Sequence, residues 1–300
     1  MRFGFAAPAY GRWADPAAVR DLIEAGESLA YDTAWFPDHV AVPEYAAKAN
    51  LRPPFLEPLA AIAWALGVTD RIVFGTDVLV APYRHPLTVA SMAGTLARLA
   101  GPRLILGVGV GYLRGEFDAL GVPYDSRGAQ TDAFLARFRD PPDDVSLLPA
   151  DTVPLWVGGN NRRAEQRAAV LGDGWHPLWM PAPAYAEARE RILASRAEHG
   201  RTGRFTFSYS CGATAVLDAP GGPWPAPAPP APRNSEFSYA PAAWVADDNR
   251  PRFVGTPDQV VADLRLLEAA GVEHVTLRFG NADIAHLERF ADQVRPAFTG

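Results

Sequence analysis

Short apolar runs alternate with longer segments whose apolar residues recur every three or four positions, and the alternation continues to the end of the chain. The first run is 2–6. Asp15 then precedes Pro16, a favoured cap and first helical position, and Val19, Leu22, Ile23, Gly26 and Leu29 form the helix's apolar stripe. Further strands are predicted at 33–37, 72–80, 103–110, 154–159, 174–178, 205–217 and 274–279. Helices are predicted from Pro58 to Gly67, Pro86 to Gly101, Arg127 to Arg137, Asn161 to Leu171 and about Pro183 to His199. TPDQ (256–259) reads as a capping box opening a helix that ends at Gly271, and Ile284, Leu287, Phe290 and Val294 mark the last helix.

Strict strand–helix alternation implies parallel strands. A doubly wound open sheet has the same local pattern. Eight units in 300 residues favour a closed (β/α)8 TIM barrel, an α/β fold, as one domain over 1–300. The long connections follow strands two, four and seven, which places the elaborated loops on the C-terminal face, where barrel active sites form. The insertion after strand seven, 218–250, begins with the proline-rich DAPGGPWPAPAPPAPRNSEF (218–237). It reads either as a linker or as a lid whose Phe237, Tyr239 and Trp244 pack over the barrel mouth.

Composition narrows the class. An apolar share of 48% excludes an intrinsically disordered chain, and a net charge of −6 argues against a general binder of nucleic acid or anionic membrane. The single cysteine, Cys211, excludes an internal disulfide and suits a reducing compartment. No run approaches a membrane span or a secretory signal, so a soluble cytoplasmic protein is expected.

Four segments carry candidate chemistry at strand ends. In WFPDHV (35–40), Asp38 and His39 leave strand two together; His39 can exchange a proton near neutral pH, or it can be structural, with Asp38 a cap. In FGTDVLVAPYRHP (74–86), Asp77 interrupts an apolar strand and needs either a ligand or a salt-bridge partner. In LGVGVGY (106–112), alternating glycines allow a flat or phosphorylated ligand close to the backbone, and Glu116 lies four residues beyond Tyr112. In WVGGNNRR (156–163), glycines feed a helix N-terminus flanked by Arg162 and Arg163, which is either an anion site or a tight capped turn. No phosphate loop, HExxH, CxxC or GxSxG occurs, and the six histidines lack metal-ligand spacing, so no metal is expected.

Together WFPDHV, RIVFGTDVLVAPYRHP, RLILGVGVGYLRGEFDALGVPYDSRGAQTD, PLWVGG, LGDGWHP and VGTPDQVVADLRLLEAAGVEHVTL resemble, in order and nearly in spacing, the luciferase-like oxidoreductases, especially those that use the deazaflavin coenzyme F420. The resemblance implies a cofactor ring at the C-terminal face with Asp38 and His39 beside it. It places Thr76, Asp77 and Val78 on a bulge behind the ring, with a cis peptide at Asp77–Val78. It also implies Gly109, Val110, Gly111 and Tyr112 along the cofactor channel, and Gly158, Gly159 and Asn160 at the phosphate-bearing tail. His39 would handle the proton, with Glu116 and Tyr112 as further catalytic candidates. Trp175 and His176 would line the substrate pocket. Apart from the resemblance, Arg278 at the end of strand eight faces either the barrel mouth, where it would join the substrate pocket and suit an anionic group, or the helix layer, in a core-edge salt bridge. Two departures stand out: Tyr112 takes a position where some deazaflavin dehydrogenases have glutamate, and 137–153 is shorter than is usual in the family and lacks its tryptophan-containing helix end. The implied activity is F420-dependent hydride transfer to or from a small organic substrate. An FMN-dependent monooxygenase and a non-catalytic ligand-binding barrel are the alternatives, and a homodimer through the second and third helices is the implied assembly.

Overall fold

The computed structural model describes residues 1–7, 9–48, 53–220, 252–279 and 284–298. Eight parallel strands form the barrel: β1 (Arg2–Ala6), β2 (Thr33–Phe36), β3 (Val73–Thr76), β4 (Leu104–Gly109), β5 (Leu155–Gly158), β6 (Gly174–His176), β7 (Thr206–Ser210) and β8 (His274–Leu277). Each pairs with the next, and β8 returns to β1 with Val275 opposite Phe3, so the sheet closes. The helices that cover it are α1 (Pro16–Ser28), α2 (Pro58–Leu66), α3 (Pro86–Ala100), α4 (Arg127–Arg139), α5 (Arg162–Leu171), α6 (Ala182–Glu198), α7 (Pro257–Ala269) and α8 (Ile284–Gln293). The caps are those expected: the Asp15 carboxylate accepts from the amides of Ala17 and Ala18, and Thr256 and Gln259 complete the capping box.

Two of the predicted runs divide. The run 72–80 divides into β3 and a separate pair, Leu79–Val80, across a cis peptide at Asp77–Val78. The run 205–217 divides into β7 and Ala215–Val216, which leaves the barrel to pair in parallel with Val254–Gly255. That small sheet joins the two ends of the insertion. The expected lid, with Phe237, Tyr239 and Trp244, falls outside the described residues. The short 137–153 segment lies over α3, where the Leu148 carbonyl stands 2.4 Å from the place a Cβ on Gly94 would occupy.

Alternation along the strands makes two different interiors. Phe3, Phe5, Ala34, Phe36, Phe74, Leu106, Val157, Val275 and Leu277 belong to the main apolar core between barrel and helices. Trp35, Ile105 and Trp156 form a separate cluster inside the barrel. Glycines clear that lumen: a Cβ on Gly75 would lie 2.3 Å from Trp35, and one on Gly174 would lie 2.6 Å from Trp156. Further lumen positions carry Thr33, His176, Thr206, Ser208, Ser210, His274 and Thr276, so apart from Ile105 the barrel interior is aromatic and polar, not filled with branched aliphatics as barrels usually are.

Candidate active site

The loop after β2 and the segment after β4 meet at the C-terminal face. His39 is 11% exposed; its Nδ1 lies 2.8 Å from Glu116 Oε2, and the Tyr112 hydroxyl lies 3.3 Å from its Nε2. Glu116 sits in a short helix, Arg114–Leu120, that follows Tyr112 directly. Its other oxygen accepts from the amides of Val40 and Ala41 at 2.8 and 3.0 Å, so the carboxylate fastens the loop that carries His39. Burial alone would raise the Glu116 carboxyl, but the His39 contact and the two amides outweigh it and leave it below its ordinary value. Burial and the nearby Glu116 carboxylate push the Tyr83 hydroxyl up; it donates to Glu116 at 3.4 Å. His39, Tyr112 and Glu116, from three separate sequence positions, thus form one cluster, with Tyr83 added by the fold.

Asp38 occupies a different environment from its neighbour. One oxygen accepts from the amide of Val80 at 2.7 Å, and the Arg84 guanidinium engages both oxygens at 2.6 and 2.9 Å. Arg84 also bonds Glu57 at the start of α2 at 2.8 Å. The Asp38 side chain is fully enclosed by these partners and ties the loop after β2 to the segment after β3.

The second group of polar residues lines the barrel centre. Asp77 accepts from His176 Nε2 at 3.2 Å and from the Ser210 hydroxyl at 3.1 Å, and it pairs with Arg278 Nη2. Burial would raise the Asp77 carboxyl, but Arg278, His176 and Ser210 hold it well below the usual carboxylate range. Arg278 therefore makes a salt bridge, one of the outcomes the sequence left open, with a carboxylate that also contacts the lumen residues His176 and Ser210. Its Nε is buried and has no hydrogen-bond partner among the described residues.

The glycine-rich strand ends serve a purpose the sequence did not suggest. Side-chain space over Gly109 and Gly158 is taken by Val78, which would lie 2.5 and 2.9 Å from added Cβ atoms, and Gly107 admits the Thr76 carbonyl at 2.0 Å. These glycines seat the bulge; the clearance expected for a ligand on that side is filled. Gly111 (φ +73) lies against Val80 and Phe117, and Gly159 (φ +117) precedes α5. The Thr76 hydroxyl donates to the Gly107 carbonyl at 2.7 Å. Val110, next after β4, is partly exposed. Asn160 binds the backbone of Leu178 through both its amide nitrogen and oxygen, and Asn161 caps α5 at Ala164.

Trp175, expected in the pocket wall, does not reach it. His176 points into the lumen, so alternation sends Trp175 outward, where it stacks on Tyr185 of α6 at 4.8 Å and donates to the Gly159 carbonyl at 3.0 Å. The residues that sequence reasoning missed are Tyr83, Arg84, Thr33, Ser208, Ser210 and His274. For β7 a signal existed: TFSYS alternates polar and aromatic positions, which in a strand covered on both faces means a polar lumen.

A closed eight-stranded parallel barrel with an imidazole–carboxylate pair at its C-terminal mouth is the architecture of an enzyme in which catalytic groups come from strand ends. Residues 1–219 match the luciferase-like monooxygenase family, and the chain belongs to that family of oxidoreductases. It is 31% identical over 215 residues to an uncharacterised protein of Mycobacterium tuberculosis, covering 61% of this chain and 73% of that one. It is 26% identical over 209 residues to an F420-dependent glucose-6-phosphate dehydrogenase of Nakamurella multipartita, covering 61% and 58%. The fold superposes on an F420-dependent secondary alcohol dehydrogenase with a TM-score of 0.75 at 16% identity, covering 99% and 97% of the two chains. It superposes on EDTA monooxygenase from Chelativorans at 0.76 and 14%, covering 99% and 93%. No helix among the described residues is long and apolar enough to cross a membrane.

Proposed function

We propose that the protein is a deazaflavin-dependent oxidoreductase that moves a hydride between coenzyme F420 and a small organic substrate. The observation that carries this reading is the His39–Glu116 pair, with Tyr112, at the barrel mouth. Similarity to relatives named as F420-dependent supports the cofactor, and membership of the luciferase-like monooxygenase family keeps FMN as the competing cofactor.

The residues present fit a flat cofactor. Arg278 offers a buried Nε hydrogen with no acceptor among the described residues, beside the Asp77–Val78 bulge. The N-terminus of α5, with Arg162 and Arg163 exposed, would take the phosphate of the tail beyond Gly158 and Gly159. The cofactor, when bound, supplies the hydride acceptor or donor. The chain supplies the proton: Glu116 holds the Nδ1 side of His39, so Nε2 is left toward Tyr112 and the mouth to give or take a proton. In this reading Asp38 positions the His39 loop through Arg84 and Val80, and Arg278 with His176 lies at the pocket floor.

Fluorescence titration with oxidised F420 and with FMN tests the proposal. F420 should bind at about micromolar concentration. Tighter binding of FMN would move the assignment to a flavin monooxygenase, and no binding of either would overturn the redox reading. We also propose a homodimer through α2 and α3, which expose Trp64, Met92 and Leu99. Leu99→Glu should then yield monomers in sedimentation; a wild-type monomer would refute the assembly.

A further inference from the structure

The lumen holds a hydrogen-bonded chain that proton handling at His39 does not use. Inward from Asp77 it runs through His176 Nε2 (3.2 Å), from His176 Nδ1 to Ser208 Oγ (2.8 Å), to His274 Nδ1 (3.0 Å), and from His274 Nε2 to Thr33 Oγ1 (2.8 Å). The Trp35 indole donates to the same Thr33 oxygen at 2.7 Å. His176 stacks on Trp35 with ring centroids 4.7 Å apart and planes 15° from parallel, and Trp156 meets His274 edge-on at 5.2 Å. Ser208 and His274 are wholly buried, and His176 and Thr33 nearly so.

The two ends fix the direction of the hydrogens. Asp77 is held ionised by Arg278, His176 and Ser210 against the effect of burial, so it only accepts, and His176 must carry hydrogen on Nε2. An indole N–H only donates, so Thr33 Oγ1 accepts from Trp35 and its own hydrogen is available to His274 Nε2. One neutral order then uses every hydrogen once. Thr33 donates to His274 Nε2, His274 Nδ1–H to Ser208, the Ser208 hydroxyl to His176 Nδ1, and His176 Nε2–H to Asp77. The opposite order would require hydrogens on both nitrogens of His176 and would leave the Thr33 hydrogen with no acceptor in the chain. Burial pushes His274 well below the ordinary imidazole range, which agrees with a neutral ring.

We propose that His176 is a positioning residue for the Asp77–Arg278 pair, locked in its Nε2–H tautomer by Ser208, His274 and Thr33 acting from the closed end of the barrel. The ring sets the carboxylate of Asp77 on one side. The other oxygen of that carboxylate holds Arg278 and Ser210. A change at Thr33 is therefore felt at Arg278, at the opposite end of the lumen. The role at the mouth rests on the function proposed above, whereas the proton order stands on the hydrogen-bond geometry alone.

The test is side-chain 15N NMR of the full chain without cofactor, labelled at histidine and arginine, in wild type and in Thr33→Val, Thr33→Ser and Ser208→Ala. The expected wild-type result is hydrogen on Nε2 only for His176 and on Nδ1 only for His274. Thr33→Val, similar in shape but without the hydroxyl, and Ser208→Ala should shift both the His176 ring signals and the Arg278 Nε–H signal. Thr33→Ser, which keeps the hydroxyl, should restore the wild-type positions. A His176 protonated on Nδ1, or folded Thr33→Val and Ser208→Ala proteins with unmoved His176 and Arg278 signals, would overturn the proposal. If the variants do not fold, the wild-type tautomers decide it. Failure to bind F420 or FMN would leave these signals untouched, so the two proposals fail separately.

Discussion

His39 has the two features a proton-transfer residue needs: a carboxylate on one ring nitrogen and a second nitrogen directed to the mouth. His39→Ala is expected to lower turnover of an accepted substrate about 100-fold or more while cofactor affinity changes little. Stopped-flow rates paired with fluorescence titration check both halves. Unchanged turnover would transfer the role to another group, and lost cofactor binding would make His39 a binding residue. Glu116 gives a pH signature. Its carboxyl is depressed in the folded state, so its stabilising contribution is complete above the ordinary carboxylate value and is lost as pH falls through the lower folded value. Denaturant melts between about pH 5 and pH 2 should therefore show a steeper acid loss in wild type than in Glu116→Gln. Parallel curves would mean that folding does not depress the Glu116 carboxyl.

At the scale of elements, the β3 bulge depends on glycines in its neighbours. Gly107→Ala would put a methyl group 2.0 Å from the Thr76 carbonyl, a backbone atom that cannot swing away. The expected cost is about 2 kcal/mol or more. Gly203→Ala meets nothing within 4 Å and serves as the control. Equal denaturation midpoints for the two would remove the argument that these glycines seat the bulge. The same elements show what the chain disclosed. Apolar period and caps revealed eight units because each helix buries one stripe and several begin with Asp, Asn, Thr or Pro. Strand lengths were overestimated because apolar composition does not record where a strand leaves the barrel, as at Asp77 and Cys211. The helix carrying Glu116 gave little signal: it has seven residues and Leu113 at its N-cap, with no side-chain cap, so only the left-handed Gly121 marks its end. His39, Tyr112 and Glu116 were visible as candidates, but their meeting depends on the parallel pairing of β2 and β4 through β3, which brings their ends to one face. The lumen chain was hidden for the same reason, since Thr33, His176, Ser208 and His274 come from four strands.

For the whole molecule, barrel closure leaves two polar systems: an acid–base pair at the rim and a buried chain through the centre, with the Asp77–Val78 bulge at the inner end of the mouth. A flat redox cofactor over that mouth would have His39 beside it and Arg278 beneath. In the proposed reaction the rim pair would transfer one proton alongside a hydride, and similarity to relatives named as F420-dependent is what favours F420 over FMN in that proposal. The most direct test is to produce the full chain in a host that makes both F420 and FMN and to identify the molecule that co-purifies by native mass spectrometry. F420 bound to the folded protein is the expected result. FMN as the retained molecule, or a folded protein that retains neither and binds neither when they are added, would contradict it.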